Sequence, residues 1–255
     1  MDIITTLKRP FWKIKRTFLY YFPEGRRIRR FKDIHKGERC FIIGNGPSLT
    51  PEDLNKLKEN NEITFAFNRI FHIFDRTDWR PTYYFSQDVT MMHNSQTEIN
   101  NISAKAKFIP IENKYYKGIE LNNAVYYHLT NSAIHPEFSE DCSRKLYGSM
   151  TVVYSALQMA VYMGIHEIYL IGVDHHFNRS KNLKGEIVID NTVKDYFSEK
   201  YNLDKEHLNI PTPEYSEFSF IAAKKYAEAN GIKIFNATRG GHLEVFSRVD
   251  FDSLF

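Results

Sequence analysis

Several short stretches of this chain combine residue types that can hold an anion or move a proton. Gly44-Asn45-Gly46-Pro47-Ser48-Leu49 is a glycine-rich turn ahead of a helical pattern. Such a turn lets backbone N–H groups approach a phosphate, and a helix start favours the same anion. Its spacing fits neither GxGxxG nor GxxxxGK[ST], so the alternative of a plain tight connection stays open. Asn68 and Asp88 each follow an apolar run. Asn68 could read a base or ribose, and Asp88 could meet ribose, a metal or an acceptor; both are equally readable as turn formers. Gly148 and Ser149 precede a helical window and are expected to cap it and meet a ligand there. Gly172-Val173-Asp174-His175-His176 closes another apolar run. Asp-His-His suggests metal ligation, yet adjacent strand residues point to opposite faces, and a histidine here serves equally as a substrate contact or general base. Gly-x-Ser-x-Gly, HExxH and CxxC motifs are all missing, which leaves hydrolase, zincin and redox chemistries without support.

To act together these stretches must be delivered to one place. The runs at 39–44, 63–67, 82–86, 107–111, 125–129, 167–172 and 232–236 read as strands. Several are continuously apolar rather than alternating, the mark of strands covered on both faces. Residues 51–59, 150–163 and 214–229 read as helices. Thr50 as N-cap, Pro51 at the first position and Asp53 three residues on form a start signal for the first of them. Strands alternating with helices predict an α/β fold: a Rossmann-like, doubly wound, mostly parallel sheet in a single domain. In such a sheet ligands collect outside the carboxyl ends of the strands, where all of these loops emerge. Residues 175–213 are too long and polar for an ordinary connection and read as a lid-like insertion.

The composition is that of a globular protein, with 42% hydrophobic and 25% charged residues and a formal charge of +3. That mean hides a division: residues 1–36 carry a net +8 and residues 37–255 a net −5. The chain is therefore read as a basic aromatic N-terminal arm, 1–36, and a nucleotide-binding catalytic domain, 37–255. Within residues 7–32, Phe11, Trp12, Phe18 and Tyr20 to Phe22 alternate with lysines and arginines. Such a segment suits an anionic membrane surface or a helix packed on the domain with a solvated basic face. Nucleic acid is not an expected partner, because no recognition motif accompanies the charge. Two cysteines far apart in sequence point to a reducing compartment, and no apolar run approaches the ~20 residues of a spanning helix. A cytoplasmic protein, peripheral on the inner face of the cell membrane, is the expectation.

The blocks IIGNGPSL, FAFNRIF, WRPTYYFSQD, ALQMAVYMGIHEIYLIGVDHHF and GIKIFNATRGGHLEVFSRVDF, in that order, resemble the DUF115 family, whose members are similar to the 6-hydroxymethylpterin diphosphokinase of the MptE type. The first and fourth blocks also resemble bacterial family 42 sialyltransferases, which share the GNGPSL turn, an Asn after the second strand and the EIYL-x-G-V-D strand end. The sialyltransferase likeness implies a CMP-activated sugar donor and no obligatory metal or other cofactor. Gly44, Asn45, Gly46 and Ser48 would meet donor phosphate and sugar, Asn68 the cytidine nucleotide, and Gly172 and Asp174 its ribose or base. That family's histidine base falls at Tyr215 counting back from GIKIF and near His207 counting forward from GVD, so His207, His175 and Tyr215 are the candidates, His207 first. The pterin-kinase likeness implies instead ATP and Mg²⁺, with Asp88 and Asp174 as the metal pair. The sequence therefore points to a glycosyltransferase of capsule or surface-polysaccharide assembly, with a nucleotide-sugar donor and a glycan or lipid-linked acceptor. A diphosphokinase and a non-catalytic nucleotide-binding module are the alternatives. The NATRGGH block offers Arg239 as a phosphate clamp or as part of a surface turn.

Overall fold

The computed structural model describes residues 23–131, 134–198 and 210–255. Its strands are β1 (Arg39–Ile43), β2 (Ile63–Phe67), β3 (Tyr83–Phe85), β4 (Ala106–Pro110), β5 (Ala124–Tyr127), β6 (Leu129–Asn131), β7 (Leu146–Gly148), β8 (Glu167–Ile171), β9 (Arg179–Lys181), β10 (Ile187–Ile189), β11 (Lys233–Asn236) and β12 (Ser247–Arg248). Its helices are α1 (Gly25–Arg29), α2 (Pro51–Glu59), α3 (Val89–Asn94), α4 (Gln96–Asn101), α5 (Ile111–Lys117), α6 (Val152–Tyr162) and α7 (Pro213–Ala229). Eight strands form one sheet in the order β12-β11-β8-β1-β2-β3-β4-β5, and every neighbouring pair is parallel. The chain enters at β1, steps outward to β5, and returns to β8 on the other side of β1. A crevice lies at that reversal, beyond the carboxyl ends of β1 and β8.

Local sequence accounts for most of these elements. All five residues of β2 and of β4 are buried, as continuous apolar runs require. Lys107 is the charged exception: its Nζ donates to the Asn100 carbonyl at 2.9 Å, and burial pushes its pKa down. The α2 start is a complete capping box, with the Asp53 amide donating to Thr50 Oγ1 and the Thr50 amide to Asp53 Oδ2, both at 3.2 Å. Helix α6 is buried along nearly its whole length and packs on α7, β1 and β2.

Two expectations about boundaries need correction. The run at 125–129 does not stay in one sheet: β5 stops at Tyr127, and Leu129–Asn131 leaves to pair in parallel with Leu146–Gly148. Gly148 and Ser149 do not cap the following helix. Gly148 is extended in β7, so close to Asn131 that a Cβ there would overlap its side chain, and Thr151 is the N-cap, its hydroxyl accepting from the Val153 amide at 3.3 Å.

Residues 7–22 of the basic segment lie outside the described residues. From Gly25 onward the chain is built onto the sheet. Ile28 is wholly buried, Phe31 sits edge-on to Phe108 at 5.1 Å, and His35 Nε2 lies 2.7 Å from the Tyr83 hydroxyl. Arg26, Arg29, Arg30 and Lys32 remain exposed, giving a packed helical segment with a solvated basic face. The insertion at 175–213 contains the β9–β10 hairpin; Phe197 N donates to Asn45 O at 3.1 Å and Lys181 N to Pro211 O at 2.8 Å. Among the described residues no helix is long and apolar enough to cross a membrane.

Candidate functional site

The crevice at the β1/β8 reversal has a volume of about 250 Å³. Its floor is an interlock of two loops. Gly44 N donates to Ile171 O and Gly46 N to Gly172 O, both at 2.8 Å. A Cβ on Gly44 would overlap the Gly172 carbonyl, and one on Gly46 would overlap the Asp174 carboxylate. Only glycine permits this approach. The expected cradle of amides is thereby corrected in part: the N–H groups of Gly44 and Gly46 join the two strands and are not directed at a ligand. Gly172 completes the contact at φ +63°.

Asp174 is held from several sides. Ser48 Oγ donates to its Oδ2 at 2.7 Å, and the His242 amide donates to its backbone carbonyl at 2.7 Å. Burial raises the Asp174 carboxyl above its ordinary range, and the hydrogen bonds from Ser48 oppose that rise. Ser48 itself is not on the crevice wall; it positions Asp174, which is. The neighbouring NATRGGH block explains the rest. Thr238 Oγ1 accepts from the Val173 amide at 3.2 Å, and Gly241, at φ +74°, packs against the Asp174 backbone. Arg239 is not a phosphate clamp: its guanidinium bonds Asp53 and Asp252, tying the α2 start to the C-terminal turn.

Asn45, Asn68, Asp88, Gly172, Asp174 and His175 all line the crevice. Asn45 Nδ2 donates to the Phe67 carbonyl at 3.0 Å, which fixes the turn to the end of β2. Asn68 sits in the left-handed region, at φ +48°, a conformation Asn tolerates well. Its Oδ1 accepts from Ser86 Oγ at 3.2 Å, so Nδ2 is the group able to donate outward. Asp88 caps α3, its Oδ1 accepting from the Met91 amide at 2.9 Å. His175 also has a positive φ, +54°, and its ring lies 5.8 Å from that of Phe220. Burial lowers its pKa below the usual histidine value, against the pull of the Glu214 carboxylate. That shift favours the neutral imidazole, the form able to accept a proton.

The remaining candidates stand elsewhere. His207 lies outside the described residues. Neither Tyr215 nor Ser149 is on the crevice wall; the Ser149 hydroxyl is buried. The wall includes residues that sequence reasoning passed over: Met150 to Val153 at the α6 N-terminus, and Phe177, Asp195, Tyr196, Ser216 and Phe220 from the insertion and α7. The Ser/Thr-rich start of α6 was the one signal available for the first group. Among the described residues no group of three or more His, Cys, Asp or Glu side chains is arranged to hold a metal ion.

A family model described as 6-hydroxymethylpterin diphosphokinase MptE-like matches residues 16–180. No curated protein matches the chain. Among solved structures, the Maf glycosyltransferase from Magnetospirillum magneticum AMB-1 is similar at TM-score 0.57 and 16% identity, over 92% of this chain and 39% of that one. The chain thus spans about two fifths of the length of that protein. The sialyltransferase CstII from Campylobacter jejuni, in complex with the substrate analogue cytidine-5'-monophosphate, has a TM-score of 0.48 and 16% identity, over 84% of this chain and 85% of that one. At such identities the Maf likeness establishes the α/β fold and nothing finer.

Proposed function

The chain belongs to the MptE-like family, and within that family we propose that it is a glycosyltransferase using a nucleotide-activated, CMP-linked sugar in capsule or surface-polysaccharide assembly. The observation that carries this reading is the crevice at the sheet's reversal point, walled by the Gly44–Gly46 turn, Asn68, Asp174, His175 and the start of α6. The N-terminus of an eleven-residue helix offers a partial positive charge, which suits a leaving phosphate. That site compensates for a body of negative net charge. Asn68 Nδ2 would donate to the base or ribose, and Asp174, held by Ser48, would accept from a ribose or sugar hydroxyl. Choice of CMP rests on the motif likeness to family 42 sialyltransferases.

His175 is the favoured base of the three candidates, supported by its place on the wall and its neutral imidazole. In the transfer it would take the acceptor hydroxyl proton as that oxygen bonds the anomeric carbon. The bond from carbon to phosphate oxygen breaks, and the nucleotide monophosphate leaves with the electron pair. The acceptor would be a glycan or a lipid-linked one.

The family description favours a second reading, pyrophosphate transfer from ATP with Mg²⁺. Asp88 and Asp174 line the same crevice and would hold the ion jointly with substrate phosphates, the usual mode for Mg²⁺. A thermal-shift series with CMP, CDP, UDP and ATP, each with and without Mg²⁺, separates the two. Stabilisation by CMP or CDP in EDTA, with CMP release from a CMP-linked sugar, supports transfer. Stabilisation by ATP with Mg²⁺ alone would overturn it, and binding without turnover of any donor would identify a non-catalytic module.

A further inference from the structure

The β9–β10 hairpin follows directly on His176 and Phe177 of the crevice wall and carries a surface that sugar transfer leaves unused. Its root is fixed: Asn178 Nδ2 donates to Asp190 O at 2.8 Å, and His176 Nε2 lies 3.1 Å from Asp190 Oδ2. Beyond the root, Leu183, Ile187, Val188 and Ile189 are 52%, 49%, 48% and 62% exposed. Single exposed aliphatic residues are ordinary, but consecutive strand residues point to opposite faces, so this finger is apolar on both. Arg179, Lys181 and Lys184 share the finger and have no ion-pair partner among the described residues. Its acids, by contrast, are engaged: Glu186 accepts from Asn182 at 2.7 Å, and Asp190 from Thr192 at 2.6 Å.

We propose that this hairpin inserts into the interface of an anionic membrane, aliphatic side chains at the acyl boundary and cations on lipid headgroups, so that the crevice mouth faces the bilayer. Charge selects this occupant over a second copy of the chain, because pairing two hairpins would bring the unpaired cations together. A three-residue edge with four half-exposed aliphatic side chains also falls far short of the ~800 Å² per partner of a stable protein interface. One weak anchor needs a second signal, which the basic aromatic sequence of residues 7–22 supplies. The proposal stands independently of the reaction catalysed.

The test uses the full chain carrying Val188→Cys. Both native cysteines are wholly buried, so a bimane probe reports position 188 alone. Vesicles of phosphatidylcholine with 30% phosphatidylglycerol should shift its emission to the blue, and pure phosphatidylcholine vesicles should not. In flotation, Ile187→Asp/Ile189→Asp should reduce association with the anionic vesicles at least tenfold while melting as the parent does. Should that pair fail to fold, Lys181→Gln/Lys184→Gln is the second variant, with loss of at least threefold expected. An unshifted probe, parental flotation, or a hairpin variant that instead converts a dimer to monomer in sedimentation would each overturn the proposal.

Discussion

Gly46 faces a carboxylate where any other residue would place a Cβ, and His175 is half-buried in the crevice wall. Each makes a specific demand. Gly46→Ala must push Asp174 off Ser48, an overpacking change that should cost about 1–3 kcal/mol in denaturant unfolding and weaken nucleotide binding with it. Unchanged stability and binding would contradict the interlock. His175→Ala should lower kcat by about 10²–10⁴-fold with little change in KM, as expected for loss of a general base. Because burial lowers its pKa, the active neutral form persists on acidification, and the acid limb of kcat/KM should fall below 6.5, the ordinary histidine value. A limb above that value would assign the base elsewhere. These two residues were visible in the sequence as a turn and a strand end. The long-range bonds around them were not, since Ser48 reaches Asp174 across 126 positions and Arg239 reaches Asp53 across 186.

Helices α2 and α6 begin where they do for different reasons, one legible in sequence and one not. The α2 start is local: Thr50, Pro51 and Asp53 identify it, and the boundaries 51–59 are those observed. Thr50→Ala should therefore cost about 1 kcal/mol in thermal unfolding, the usual value for a lost N-cap. The α6 start depends on distant strands. Gln158 within the helix accepts from the Ser139 and Tyr147 amides and donates to Tyr147 O at 2.6 Å, so it ties β7 to the helix from inside. Periodicity cannot reveal such a bond, which is why Gly148 and Ser149 looked like caps. Gln158→Leu leaves those buried groups unpaired and should cost roughly 1–3 kcal/mol per group orphaned. A melting curve matching the parent's would refute that role. The β9–β10 hairpin was likewise hidden, since its short polar-flanked strands pair only with each other.

Charge across the whole chain divides at a different place from the packing. By sequence the basic segment runs to residue 36, yet Ile28, Phe31 and His35 are built into the body beside Tyr83 and Phe108. Deleting residues 1–36 should consequently unfold the domain, whereas deleting 1–22, which leaves Ile28, Phe31 and His35 in place, should destabilise it less and lower anionic-vesicle association. Equal stability of the two truncations would contradict this. The doubly wound, mostly parallel sheet and the meeting of Gly44, Asn68, Asp88, Asp174 and His175 at one sheet edge were legible, because alternating strands and helices leave a parallel sheet few ways to wind. The central claim is that this edge binds a cytidine nucleotide without metal. Calorimetric titration of CMP in EDTA tests it most directly: saturable binding, weakened at least tenfold by Asn68→Ala in a variant with parental melting, is the predicted result. Heat from ATP with Mg²⁺ but none from CMP would contradict it.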